Sequence, residues 1–323
     1  MDEASSKFVD QLVVEKMLDE KLQTVTHQPR RAPQMLLDDA FPAMASIMRL
    51  PDADRDSATG LITFHSPVAC DYPENRTVWV TTHPVAEQKG VVLLVHGLFE
   101  DNRNIYNFFV GELNRQGYGV YMMTLPFHYE RAPKESHFSG EYFLSADLGR
   151  TKRAFIQAVM ELLHFHDWIA NTEGTPPFVV GFSMGGTVCL SAAAKSNRIR
   201  GLAVVNPAAD LSEVIWTSPL CATIKNDLLN AGWRRLDTSG VIATFDPFIL
   251  PRPMISPERM LFIYGLYDQI TRPDQYESFI AKWRFLHVRK YKAGHLNTLR
   301  VPRLSIDIST FHKQVIAAQD MRR

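Results

Sequence analysis

Residues 177–194 read PFVVGFSMGGTVCLSAAA, and this stretch decides how the rest of the chain is interpreted. An apolar run at 178–180 leads to Ser183, which stands between Gly181 and Gly185 and is followed by small and apolar residues. The pattern predicts a buried strand, a sharp turn that exposes the serine hydroxyl, and a tightly packed helix. Glycines on both sides remove the Cβ atoms that would collide where strand and helix come close. Because G-x-S-x-G alone is weak evidence, the remaining chain has to decide.

Strand-like and helical segments alternate along the chain around this stretch. The predicted strands lie in LITFHSPVA, TVWVTTHPV, VVLLVHG and GVYMMTLPFH before FVVGFS, and in IRGLAVVNPA, RMLFIYG and HVRKYKAG after it. This alternation predicts a mostly parallel sheet with helices on both faces. In such sheets functional sites form beyond the carboxyl ends of the strands, which is where Ser183 falls.

The predicted organisation is a helical N-terminal extension (1–58), an α/β core (59–209 and 258–323) and a cap inserted at 210–257. Apolar residues recur at helical spacing in the extension: Val14, Met17, Leu18, Leu22 and Val25. The segment 210–257 is too long for a simple connection. It carries large apolar side chains, some of which are expected to face the site: Trp216, Leu228, Leu229, Trp233, Phe245 and Phe248.

The composition is that of an ordinary globular protein. The chain has 323 residues, of which 46% are apolar and 22% charged, and its formal net charge is zero. A neutral chain gives no electrostatic reason to expect a nucleic acid or an anionic membrane as partner. No stretch approaches the ~18 apolar residues of a membrane span. Three widely spaced cysteines favour a reducing compartment, so we expect a cytoplasmic protein, with the N-terminal helices as a surface for a homo-oligomer.

A serine becomes a nucleophile only if a base takes its proton and a third group orients that base. His295, in YKAGHLN, follows the last predicted strand, and Asp268, in IYGLYDQI, follows the strand before it. The order Ser183, Asp268, His295 is the one expected for a serine hydrolase on a parallel sheet. His287 is the alternative base and Asp210 the alternative acid.

Backbone amides near Ser183 are predicted to bind an oxyanion. Met184 begins the helix, where unpaired N–H groups and the helix dipole favour negative charge. A second donor is expected after the strand VVLLVHG, from Leu98 or, one residue further on, from Phe99. Each such donor contributes roughly 3 kcal/mol to the transition state.

Three residues are predicted to contact the substrate. These are Phe99, next to the oxyanion turn, and His128 and Arg131, which follow the fourth predicted strand. An arginine there could bind a carboxylate or phosphate. A purely structural role, tying the loop to Glu130 or Glu141, is an equal alternative.

Patterns for metals and cofactors are missing from the sequence. His164 and His166 are two residues apart on a predicted helix, so they point to different sides. There is no C-x-x-C, H-E-x-x-H or, after a strand, G-x-G-x-x-G. We therefore expect no metal ion and no cofactor.

Four motifs in this order resemble the α/β-hydrolase superfamily: the H-G-L-F turn, the G-F-S-M-G elbow, G-L-Y-D and A-G-H. The resemblance covers about residues 60–320. It implies an eight-stranded, mostly parallel sheet and serine hydrolase chemistry. One branch of the superfamily has a P-[FY]-H-x-x-R loop, and the chain resembles it in LPFHYERAP followed by FSGEYFLSADL. The resemblance to this branch implies no particular substrate.

The sequence therefore predicts a serine hydrolase that cleaves a carboxylic ester through an acyl-enzyme on Ser183. The substrate is expected to be a small molecule with an apolar acyl or alkyl group. A thioesterase, amidase, acyltransferase or carbon–carbon hydrolase could use the same three residues. The alternative from another class is a non-catalytic binding or scaffold protein that uses its N-terminal helices as partner surface.

Overall fold

The computed structural model describes residues 2–22, 27–37 and 52–320. Leu22 and Val25 were predicted to continue the apolar stripe of the N-terminal helix. Val25 and the side chain of Leu22 lie outside the part that is described. Helix α1, Glu3–Met17, begins at Asp2, whose side chain accepts a hydrogen bond from the Ser5 amide, and ends in a π-helical turn, Leu18–Leu22. A short helix α2, Pro33–Leu37, follows.

Within the described ranges, a sheet of nine strands forms the centre of the molecule, in the order β1-β2-β3-β5-β4-β6-β7-β8-β9. The strands are β1 Ala53–Asp56, β2 Leu61–His65, β3 Thr77–His83, β4 Gly90–Val95, β5 Tyr118–Met123, β6 Phe178–Phe182, β7 Leu202–Val205, β8 Met260–Gly265 and β9 His287–Tyr291. The pairs β1–β2, β2–β3 and β3–β5 are antiparallel, and all other neighbouring strands are parallel. The predicted α/β fold class is confirmed.

The sheet has one strand more than the eight predicted. The additional strand, β1, lies at the edge, within the segment 1–58 that was predicted to be helical. Its sequence is ADRD, and three of its four residues are exposed. Such a strand has no buried face and therefore no apolar alternation by which it could be predicted.

The remaining helices cover both faces of the sheet or lie beyond its carboxyl edge. They are α3 Asn107–Arg115, α4 Leu148–Thr172, α5 Met184–Lys195, α6 Leu211–Thr217, α7 Ala222–Asn230, α8 Arg235–Ile242, α9 Tyr276–Trp283 and α10 Arg303–Asp320. Helix α4 is capped by Asp147, whose carboxylate accepts from the Arg150 amide; the hydroxyl of Ser145 accepts from the Arg150 guanidinium. Helices α6, α7 and α8 all lie within the predicted cap segment.

Strand β4 shows why its apolar run is continuous. Val91, Leu93 and Val95 belong to the core shared with α4 and α5, whereas Val92 and Leu94 belong to the core shared with α3 and α10. Successive side chains point to opposite faces of a sheet, so a strand covered on both sides must be apolar throughout. These two cores fix the strands whose carboxyl ends carry the candidate site.

Arg131, on the loop after β5, is held by the core of the protein. Both of its terminal nitrogens lie 2.7 Å from the carboxylate oxygens of Glu161 on α4, and neither side chain is exposed to solvent. The guanidinium also donates to the carbonyl oxygens of Thr124 and Asn75. A buried, bidentate ion pair of this kind ties the loop to α4.

Replacing Arg131 by Met should lower the free energy of unfolding by about 3–5 kcal/mol, because the Glu161 carboxylate would remain buried without its partner. Urea unfolding at pH 7 measures the loss. The matched control is Arg198→Met, which breaks the half-exposed pair between Arg198 and Asp167 and should cost less than about 1 kcal/mol. Equal losses for the two variants would contradict the assignment of a buried structural pair.

Candidate functional site

The turn between β6 and α5 holds Ser183 in a strained conformation. Its φ is 49° and its ψ −118°, a region that residues with a side chain rarely occupy. The turn closes only because of its glycines: a Cβ on Gly185 would lie 2.3 Å from the carbonyl oxygen of Val95, and one on Gly181 would lie 2.7 Å from the carbonyl oxygen of Gly185. The strand–helix contact therefore lifts the Ser183 hydroxyl out of the sheet.

The structure brings Ser183, His295 and Asp268 together. The Ser183 hydroxyl lies 3.0 Å from Nε2 of His295, and Nδ1 of His295 lies 2.6 Å from Oδ2 of Asp268. Because an ionised carboxylate only accepts hydrogen bonds, Nδ1 of the neutral ring must carry the proton, and Nε2 is left as the acceptor for the serine hydroxyl. This is the geometry of a nucleophile, a base and an orienting acid.

Asp268 is itself fixed from several sides. Its Oδ1 accepts from the amides of Ile270 and Thr271, both at 2.8 Å, and its Oδ2 accepts from the Thr271 hydroxyl at 2.9 Å. The carboxylate is fully buried. With its other lone pairs engaged, it can point only at the imidazole.

Burial is the largest single effect on His295 and opposes its charged form, but the charge and hydrogen bond of Asp268, together with the other acids nearby, raise the pKa of the imidazole above its ordinary value. Two further acids, Asp10 and Glu100, act in the same direction. The surroundings of His295 therefore favour the imidazolium that forms when it takes a proton.

The second candidate oxyanion turn follows β4 and is held by Glu100. One carboxylate oxygen of Glu100 accepts from the Gly97 amide at 3.0 Å and from the Tyr106 hydroxyl at 2.7 Å, and the other accepts from the Tyr129 hydroxyl at 2.8 Å. Burial raises the pKa of Glu100 to about 7. Since the Gly97 amide is engaged, the amides that follow it in the turn are those available to a ligand.

The candidate oxyanion donors border a cavity beside Ser183. Leu98 and Met184 both line it, and Met184 is the first residue of α5, so its amide has no acceptor within the helix. The cavity has a volume of about 180 Å³. Its walls come from the sheet edge, from α1 through Val13 and Met17, and from the cap segment through four residues: Val214, Ser218, Leu220 and Cys221.

The structure brings only one of the three predicted substrate contacts to this cavity. Phe99 lines it, with a φ of 61°. Arg131 is turned into the core against Glu161. His128 is fully buried, with Nδ1 at 2.8 Å from the carbonyl oxygen of Pro126 and its ring against that of His96. The sequence placed these residues at the correct edge of the sheet, but their side chains point away from Ser183.

The alternative base and acid lie elsewhere. His287 begins β9 and packs against Phe311. Asp210 caps α6 by accepting from the Glu213 amide at 2.8 Å. The six large apolar residues of the cap segment do not line the cavity either; three of them, Leu228, Trp233 and Phe245, are part of the main core.

Two residues of the site were not predicted from the sequence. Glu100 directly follows the H-G-L-F motif, and a carboxylate there could have been considered as a support for the turn. Asp10, on α1, accepts hydrogen bonds from the loops that carry His295 and Asp268. Nothing in its local sequence distinguishes it from the other acidic residues of the helix.

Two further searches concern metals and membranes. In the described ranges, no group of three or more His, Cys, Asp or Glu side chains is arranged to hold a metal ion. Over the same residues, no helix combines the length and the apolar character that crossing a bilayer requires.

Comparison with known proteins agrees with the fold. Residues 86–243 match the family described as serine aminopeptidase, S33. An acetyl xylan esterase from Paenibacillus sp. R4 superposes with a TM-score of 0.59 at 16% identity, over 92% of this chain and 98% of the esterase. The acylaminoacyl peptidase of Pyrococcus horikoshii gives a TM-score of 0.52 at 14% identity, over 83% of this chain and 41% of the peptidase. No curated protein sequence matches the chain. Residues 86–243 are thus similar to that family, and the chain as a whole has the α/β-hydrolase fold.

Proposed function

We propose that the protein is a serine hydrolase that cleaves carboxylic esters of small apolar acids, with Ser183 as nucleophile, His295 as base and Asp268 as orienting acid. The observation that carries this proposal is the 3.0 Å contact between the Ser183 hydroxyl and Nε2 of His295, at the edge of an apolar cavity. A hydroxyl with an adjacent oriented base can attack a carbonyl carbon. The fold alone would not carry it, since the superposed structures include both an esterase and a peptidase.

The proposed reaction has two halves. Ser183 Oγ forms a bond to the ester carbonyl carbon while its proton passes to Nε2 of His295, and the amides of Leu98 and Met184 bind the oxyanion. His295 then protonates the leaving alcohol as the acyl-enzyme forms. In the second half, water gives a proton to His295 and attacks the acyl carbon, and the acid leaves as Ser183 recovers its proton.

The cavity supports a small acyl group. A cavity of about 150 Å³ lined by apolar side chains accommodates a molecule the size of benzene, and this one has about 180 Å³. A chain of a few carbon atoms would fill it. The three cysteines are unpaired in the structure, which supports the proposed cytoplasmic location.

Intact-mass analysis after treatment with a fluorophosphonate tests the nucleophile. The wild-type protein should gain a single adduct, and Ser183→Ala and His295→Ala should gain none, because the serine is unreactive without its base. The same two variants should lose about a millionfold in ester turnover, while Ser57→Ala, an exposed serine, should behave as wild type. A folded wild-type protein that gains no adduct would refute the proposed function.

The pH dependence of labelling tests the base. His295 must be neutral to accept the serine proton, so the second-order rate of labelling should rise with pH through the pKa of His295. Because the Asp268 carboxylate raises that pKa, the midpoint should lie above about 6.5, the ordinary value for histidine. A midpoint below pH 6 would show that another group controls the rate.

A panel of p-nitrophenyl esters tests the substrate class. The value of kcat/KM should be highest for acetyl to butyryl esters and at least about tenfold lower for dodecanoyl, since the cavity cannot hold a long chain. Leu220→Ala should shift the optimum toward longer chains, because Leu220 lines the cavity. Leu229→Ala, the same substitution at an exposed position of the cap segment, should leave the optimum unchanged. Faster turnover of matched amides than of esters would overturn the proposed ester specificity.

A further inference from the structure

Helix α1 presents one face to the candidate active site. Ser6, Asp10 and Val14 are buried along this face, and Val13 and Met17 form part of the cavity wall. The spacing of these positions, three or four residues apart, places them on one side of a helix. The N-terminal extension, which the sequence suggested as a surface for a homo-oligomer, is thus in contact with the cavity beside Ser183.

The carboxylate of Asp10 lies between the two loops that carry the base and the acid. Its Oδ2 accepts from the amide of His295 at 2.6 Å and from the amide of Gln269 at 3.2 Å, and its Oδ1 is 3.3 Å from the amide of Leu296. Gln269 is the residue after Asp268. One side chain of α1 therefore holds the backbone on both sides of the imidazole–carboxylate contact.

The fit around Asp10 is tight. The residue has no solvent-exposed surface. A Cβ on Gly294 would lie 2.7 Å from Oδ2 of Asp10 and 2.8 Å from the carbonyl oxygen of Ser6. The glycine before His295 thus allows α1 to approach the loop closely.

The charge of Asp10 is not neutralised by a base on its own helix. The lysines of α1 and of the turn after it, Lys7, Lys16 and Lys21, pair with other acids, and burial raises the pKa of Asp10. A buried carboxylate is costly unless it is well solvated by donors. Here three backbone amides supply that solvation, and all of them belong to the loops of the site.

The same helix continues to the oxyanion turn. Lys21, in the π-helical turn after α1, donates to the carbonyl oxygen of Phe99 at 3.2 Å and forms an ion pair with Asp101. The N-terminal segment therefore contacts all three loops around Ser183: that of the base, that of the acid and that of the oxyanion turn.

We propose that α1 forms part of the active site and that Asp10 is a positioning residue. Asp10 fixes the loops that carry His295 and Asp268, and its negative charge stabilises the imidazolium form of His295. This inference rests on the proposed function, because it assigns Asp10 a role toward the base. The acidic groups that face His295 are Asp268, Asp10 and Glu100. Removing the negative charge of Asp10 should make the imidazolium less favourable.

The test measures the second-order rate of fluorophosphonate labelling of Ser183 as a function of pH in full-length variants. Asp10→Asn should label on the order of 10- to 100-fold more slowly than wild type, since small displacements of catalytic groups cost about that much. Its pH midpoint should also move to lower pH. Asp10→Glu keeps the charge, but its additional methylene group meets Gly294 and Ser6, so it should be slowed without a shift of the midpoint.

Glu15→Gln is the matched control. It removes a negative charge from an exposed position of the same helix, where solvent screens it, and should leave both the rate and the midpoint at wild-type values. Circular dichroism and thermal unfolding establish that each variant retains the fold. If Asp10→Asn does not fold, Asp10→Glu alone decides the positioning role through its labelling rate.

The outcomes separate the two proposals. If the wild-type protein does not label, the proposed function fails. If it labels and Asp10→Asn labels equally fast, or more slowly with an unmoved midpoint, Asp10 has no role toward the base beyond packing and the present inference fails. Wild-type labelling by Asp10→Glu would also overturn it.

Discussion

The contact between β6 and α5 is the constraint on which the site depends. Gly181 of β6 lies so close to α5, and Gly185 of α5 so close to the end of β4, that a Cβ at either position would meet a backbone oxygen, at 2.7 Å and 2.3 Å respectively. This approach forces Ser183 into a positive φ. Strain of this kind persists only where the surrounding structure over-determines it, and here the two cores on either side of the sheet supply the necessary rigidity. The position of the hydroxyl is thus a property of the whole sheet.

Three buried acids determine the electrostatics around the base. Asp268 contacts the imidazole directly, Asp10 accepts from the backbone amide of His295, and Glu100 accepts from the Gly97 amide in the turn after β4. Each of these carboxylates accepts several hydrogen bonds, which is how a buried charge becomes tolerable. The same bonds hold the loops in place, so the groups that favour the imidazolium are also those that fix its geometry. Electrostatic support and rigidity have one origin here.

The sequence predicted the parts of this arrangement that follow from topology. Carboxyl ends of parallel strands meet at one edge of a sheet, so Ser183, Asp268 and His295 could be expected to lie close together. Arg131 and His128 were placed at that edge by the same rule, but the rule does not say which way a loop side chain points, and both turn into the core. Strand β1 has no buried face, so its sequence lacks the apolar alternation by which a strand is predicted. Asp10 could not be found, because its partners lie more than 250 residues away in the sequence.

That separation has a consequence for how the protein matures. Asp10 and His295 are 285 residues apart, so during synthesis α1 leaves the ribosome long before the loops that complete its surroundings. Until those loops are synthesised, the chain lacks both His295 and the amides that Asp10 contacts. Closing such a long loop is entropically costly and is favoured only once the intervening sheet has formed. The contact of Asp10 with the loop of His295 therefore forms late in folding, after the sheet that lies between them in the sequence is in place.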